Sequence, residues 1–193
     1  MNQPNREFQI DDKWIGFDHK TYFIADIAAN HDGNIERAKE LIYLAAESGA
    51  DAAKFQHFKA NTIVSDRGFK SLTGGESHQS SWKKSVFEVY EDAAVSLNWT
   101  SELKETCEDA SITFLTSPYS FDLADEVFNY VSAYKIGSGD ITWIDIIKYI
   151  ANKQKPYILA AGASNMNDVT RAVSEGLLIN QDLCLMQCNT NYT

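Results

Sequence analysis

The sequence predicts an α/β fold, a (β/α)8 TIM barrel that is apparently truncated after its sixth strand. Three observations carry that expectation. Short runs of strand length alternate with amphipathic helical stretches from residue 22 to residue 192. The runs are almost continuously apolar, as strands of a parallel sheet covered by helices must be. Polar residues collect at their C-terminal ends: Asn30-His31, Gln56-His57, Ser117, Ser138 to Asp140, Ser164 and Asn189 to Asn191. Parallel α/β folds place their sites at those ends.

The elements follow in order. YFIADIAAN (22–30) reads as the first strand. The stretch 35–50 reads as a helix, with Ile35, Ala38, Ile42 and Ala45 on one face and Gly49 near its end. AAKFQHF (52–58) is the second strand. Residues 59–100 then interrupt the alternation, too long for an ordinary strand–helix loop, and read as a lid or substrate loop. Within them SLTGGESHQSS reads as mobile and SVFEVYEDAAV as a short helix. SELKETCEDA is the helix before the third strand. That strand is ITFLTSPYS (112–120), stopped by Pro118. LADEVFNYV (123–131) is helical, AYKIGSG (133–139) is the fourth strand, and WIDIIKYIAN (143–152) is a helix with Ile144, Ile147 and Ala151 in register. PYILAAGAS (156–164), the helix MNDVTRAVSEGL (166–177) and the strand LCLMQCNTNY (183–192) complete the series. A doubly wound open sheet competes. The barrel is preferred because nearly every strand end is polar, not only those beside one switch point, and no GxGxxG follows the first strand. A complete open sheet of six strands stays as the alternative.

Composition narrows the class. The chain has 193 residues, 44% of them hydrophobic, enough for one sizeable core. Its net charge of −10 argues against nucleic acid or an anionic membrane as partner. No run approaches the length of a membrane helix, and the polar start MNQPNREFQIDDK shows no secretory signal. Cys184 and Cys188 are four apart in a stretch read as strand, so about 13 Å would separate their Cα atoms, too far for a disulfide. With Cys107 and the four histidines they form no zinc pattern. A reducing cytoplasm is the expected setting.

Candidate chemistry comes from strand parity. Lys54 and Gln56 share a face opposite Phe55 and His57; Asp26 shares one with Ile24, Ala28 and Asn30; Lys135 lies opposite Ile136. If Phe55 and Ile136 pack on the helices, both lysines enter the barrel. Two ammonium groups and a carboxylate there make a poor core but a good anion site with an acid–base partner. Gly137-Ser138-Gly139 would let backbone N–H groups and a hydroxyl approach phosphate oxygens, with Ser117 at a third strand end. Each feature alone has a bland reading, a snorkelling lysine or a simple turn; their convergence favours the site. Asn30 to Gly33 reads equally as a turn with a helix cap. His57 and His78 read as ordinary polar residues, and the aromatic residues of 82–99 as packing.

These residues also carry a resemblance. FIADIAANHDGNIERAKELIYLAAESGADAAKFQHF, TFLTSPYS, AYKIGSGDIT, PYILAAGAS and LMQCNTNYT, in that order, resemble the sialic acid synthases (N-acetylneuraminate and related nonulosonate synthases). The resemblance implies condensation of phosphoenolpyruvate with an N-acyl aldose such as N-acetylmannosamine, with release of phosphate. It implies Lys54, Gln56, Ser117, Lys135, Ser138, Asn189 and Thr190 as substrate-binding residues, and Asp26 and Asp140 as catalytic ones. Asp26 and Asp140 stand where the family usually has glutamate, so each reach is one methylene shorter. Ala160-Ala161 replace a common Ser-Thr, Gln187 replaces a usual histidine, and Thr190 a Ser or Asn. A divalent ion, Mn2+ or Mg2+, is implied, with two histidine ligands expected beyond residue 193. The expected organisation is an N-terminal extension over 1–20 and an incomplete catalytic barrel over 21–193, with a loop insertion at about 59–100 and no C-terminal antifreeze-like domain. A full-length form is expected to be a homodimer. Another phosphate-binding aldolase or lyase barrel, or an inactive truncated barrel serving as a binding module, are the alternatives.

Overall fold

A computed structural model describes residues 2–71 and 82–190. The stretch 72–81, with His78 and nearly all of the segment read as mobile, lies outside the described residues, as do residues 191–193.

Strands β3 (Ile24–Ala28), β4 (Ala52–His57), β5 (Thr113–Pro118), β6 (Tyr134–Ile136), β7 (Tyr157–Ala160) and β8 (Leu183–Met186) form one parallel sheet in strictly sequential order. A doubly wound sheet reverses its order at a switch point; a barrel wall does not. The connections carry α1 (Ile35–Glu47), then α2 (Ala60–Ile63), α3 (Asp66–Ser71), α4 (Val86–Ala93) and α5 (Thr100–Asp109) between β4 and β5, then α6 (Phe121–Glu126), α7 (Ile144–Ala151) and α8 (Met166–Leu177).

The helices form where the sequence offers an apolar stripe and a cap. Asn34 caps α1 by accepting from the Arg37 N–H at 3.1 Å. Ala38, Ile42 and Ala45 are its buried stripe, and Gly49 ends it at φ +84°, a left-handed conformation that costs glycine least. Ser85 with Glu88 and Asn165 with Asp168 close capping boxes on α4 and α8.

Several sequence expectations shift. The helix read over 123–131 starts at Phe121 and ends at Glu126, because Phe128 and Tyr130 donate to the Asp125 and Val127 carbonyls in tight turns. On α7 the buried stripe is Ile146, Ile147, Ile150 and Ala151, with Ile144 only half-buried. The last strand stops at Met186, where its pairing with Ala160 ends; Cys188 therefore lies past the strand.

Two apolar layers result. Outside the sheet, Ala53, Phe55, Phe114, Tyr134, Ile136, Tyr157 and Leu159 meet the helices. Inside, Ala52, Leu115, Ala133 and Ile158 form a second cluster, joined by Ile24, Cys184 and Met186. An antiparallel hairpin, β1 (Glu7–Ile10) and β2 (Lys13–Gly16), plugs this interior with Phe8 and Ile10. The plug is tied at both sides of the floor. Lys13 meets Asp51 at 2.6 Å and Asp11 accepts from Thr113 at 2.7 Å. The Asn5 N–H donates to the Gln181 carbonyl at 2.8 Å. The segment read as an extension is thus the floor of the fold, and the opposite, C-terminal end of the sheet is left open.

Candidate active site

At that open end the period-two parity of the strands sends Asp26, Lys54, Gln56, Ser117 and Lys135 inward, because Ile27, Phe55, Phe114, Tyr134 and Ile136 are taken up by the helix layer. Register sets their heights. Asp26 is level with Lys54, Gln56 with Ser117, and Thr116 with Tyr134. Ser117 and Lys135 are therefore the next step up on adjoining strands.

Lys54 is 3% exposed and pairs with Asp26 at 2.9 Å. The pair is lopsided: the lysine side chain is buried, while that of Asp26 is 59% exposed. Asp26 is the last residue in register before a bulge at the end of β3, where Ala28 sits at φ 51°. A non-glycine residue held there is strained, a feature that clusters at functional sites. Lys135 is held below the usual lysine range by burial and by repulsion from Lys54, partly offset by Asp26 and Asp140. The two ammonium groups thus face one interior. Ser117 is 2% exposed, and among the described residues its Oγ meets no hydrogen-bond partner. A buried hydroxyl without a partner is costly, and a ligand oxygen between the lysines would relieve it.

The loop after β6 completes this wall. Ser138 Oγ accepts from the Gly162 N–H at 3.3 Å. Gly162 must be glycine: a Cβ there would lie 2.6 Å from Thr190 Cγ2 and 2.9 Å from both the Cys188 carbonyl and Ser138 Oγ. Three strand-end loops therefore meet at Gly162. Thr190, half-buried, joins the group; Asn189 is exposed beyond β8.

Above the lysines, Gln56 Nε2 donates to the Tyr119 hydroxyl at 2.9 Å. Asp140 has its carboxyl pushed up to about 6 by burial, with Lys135 pulling the other way. Gln56, Phe58, Tyr90, Tyr119, Asp140 and Trp143 line a pocket of about 400 Å³. Sequence reading missed the four aromatic ones. Tyr119 follows Ser117 at strand spacing, a signal that parity offered. Tyr90, read as packing, and Trp143, reached through a turn, had none.

The histidines lie elsewhere. His57 points to the helix layer, bridging Thr116 Oγ1 at 2.7 Å and Thr100 Oγ1 at 3.0 Å. His31 belongs to a turn, accepting from the Gly33 N–H at 3.2 Å. No group of three or more His, Cys, Asp or Glu among the described residues is placed to hold a metal ion. No helix among them is long and apolar enough to cross a membrane.

Comparison with known proteins adds a second line of support. The NeuB family profile matches residues 41–193. The chain is 32% identical over 179 residues to N,N'-diacetyllegionaminic acid synthase of Campylobacter jejuni, covering 90% of this chain and 52% of that protein. It is 29% identical over 186 residues to human N-acetylneuraminate-9-phosphate synthase, covering 93% and 50%. Among solved structures, an N-acetylneuraminic acid synthetase from Leptospira borgpetersenii matches with a TM-score of 0.81 at 23% identity, over 98% of this chain and 61% of that one, which shows the shared barrel fold. The chain spans about half the length of the curated relatives it matches.

Proposed function

Because the chain belongs to the NeuB family, we propose that it carries the phosphoenolpyruvate half of a nonulosonate synthase site, for condensation with an N-acyl aldose. The observation behind this reading is the convergence of Lys54 and Lys135 on one interior beside the unpartnered Ser117 hydroxyl. Two fixed cations and a hydroxyl suit the phosphate of an enol ester. Ser138 and the N–H groups of its turn add neutral donors.

The roles follow from position. C3 of the enol attacks the aldehyde carbon, forming the carbon–carbon bond and leaving positive charge at C2. Water adds at C2, and its proton passes to the alkoxide left on the former aldehyde oxygen. The C2–O bond to phosphate then breaks as the new C2 hydroxyl gives its proton to the departing phosphate and becomes the keto group, and the lysines hold the departing charge throughout. Asp26, paired with Lys54 but open on its other side, orients that water. Asp140 and Gln56 contact the acceptor, because they stand at the rim above the phosphate position. The divalent ion that the resemblance implies finds no donor set among the described residues, so no step here is routed through it.

Calorimetric titration of this chain with phosphoenolpyruvate tests the reading. Saturable binding displaced by inorganic phosphate is expected; absence of binding rejects it. One observation favours a second reading: a lysine depressed by burial, as Lys135 is, also suits Schiff-base chemistry. A lysine adduct trapped by borohydride with a keto substrate would support the aldolase; the synthase reading expects none. Relatives named for a 9-phosphate product and relatives named without one match about equally well, so alignment does not choose the acceptor.

A further inference from the structure

The pocket above the phosphate position has a chemistry of its own. It begins at the lysine wall with Gln56 and Asp140 and continues between aromatic rings. Phe58 stands at its back, 5.5 Å from the Tyr90 ring and 6.2 Å from that of Tyr119. Trp143 also lines it, braced by Phe121 with ring centroids 5.3 Å apart; Phe121 in turn packs at a tilt against Tyr149 at 4.8 Å. Trp143 holds the N-cap position of α7, yet makes no side-chain capping bond there. Ser, Thr, Asp or Asn would cap that helix better, so local helix stability does not account for the indole. Its place in the pocket wall does.

Charge decides what the pocket takes. Its described lining includes one carboxylate and no lysine or arginine. The cations of this interior, Lys54 and Lys135, stand on the phosphoenolpyruvate side. An acceptor whose reacting carbon lies over the lysines must lead its remote end past Asp140 and into the rings. A second phosphate at that end would meet Asp140 and neutral groups, with no lysine or arginine among the described lining residues to pair it. We propose that this pocket is the subsite for the remote end of the acceptor, and that it selects an uncharged, partly apolar terminus and rejects a phosphorylated one. Trp143 and Tyr90 are its specificity-determining residues. The proposal rests on the phosphoenolpyruvate reading for the acceptor's orientation.

The test uses this chain with inorganic phosphate at saturation, so that a sugar phosphate cannot simply occupy the lysine site. N-acetylmannosamine and its 6-phosphate are then titrated separately by calorimetry. The unphosphorylated sugar should bind at least about tenfold more tightly. Trp143→Arg, or Tyr90→Lys should that variant not fold, should improve binding of the 6-phosphate about tenfold and leave the affinity for inorganic phosphate within about twofold. Equal or reversed preference in the unmodified chain, no binding of either sugar, or cation variants that fail to recruit the phosphorylated sugar would overturn the proposal. Failure of the phosphoenolpyruvate reading has a different signature: inorganic phosphate itself would not bind.

Discussion

Replacing Lys54 by Met tests the anion site at its most buried member. The substitution keeps the length of the side chain and removes the charge. Lys54 is 3% exposed, and its partner Asp26 is open enough to be rehydrated. The fold should therefore lose no more than about 1 kcal/mol, since an unpaired carboxylate in water costs little and a buried ammonium is itself expensive. The ligand loses far more. A hydrogen bond from a charged donor contributes about 1.5–3 kcal/mol, so phosphate affinity should fall about 10- to 150-fold at 1.4 kcal/mol per tenfold. The lower part of that range is expected, because Lys135 is relieved of repulsion from Lys54 and becomes the better cation. The assay is titration with inorganic phosphate, beside thermal melts of both proteins. Lys59→Met, at an exposed lysine just past β4, is the control and should change nothing. Phosphate affinity within twofold of the unmodified chain, in a folded Lys54→Met protein, would refute the assignment.

Three further outcomes are expected. His57 is buried neutral with its pKa lowered to about 4 by burial and by His31; a depressed histidine means the unfolded chain binds the extra proton first. Stability is therefore full above about pH 6.5 and falls toward pH 4, by about 3 kcal/mol, and a melt series against pH with His57→Gln should show a shallower acid slope. Gly162→Ala forces a Cβ against Thr190, Cys188 and Ser138, so the melting temperature should drop by the equivalent of about 1–3 kcal/mol and phosphate binding should weaken with it. Asp140 ionises at about 6, so acceptor affinity should change across that pH in titrations, and Asp140→Asn should flatten the profile.

What the sequence disclosed follows one rule. Parity along a strand is set by covalent geometry, so the inward turn of Lys54 and Gln56 could be read from Phe55, and that of Lys135 from Ile136. The alternation of strand and helix told the layer order in the same way. Features that depend on long-range meeting were not legible. Nothing in EFQIDDKWIG announced a hairpin that fills the barrel floor, because its apolar residues are few and their partners lie at Leu115, Ala133 and Ile158. The aromatic pocket was hidden for the same reason: Phe58 and Tyr90 come from one long connection and Tyr119 and Trp143 from two others, and only tertiary packing brings them together. The early end of the Phe121–Glu126 helix turns on local carbonyl choices that periodicity does not encode.

The hairpin has a bearing on how the molecule assembles. Phe8 and Ile10 share a buried cluster with Ala52, Leu115, Ala133 and Ile158, and Asn5 reaches Gln181. The last of these contacts, Asn5 to Gln181, cannot form until the chain as far as Gln181 is in place, so the first residues to be made are fully seated only late. A keystone set from below locks the curvature of every strand above it. Trimming the leading sixteen residues would accordingly unsettle the lysine pair at the far rim without touching a single group that meets substrate.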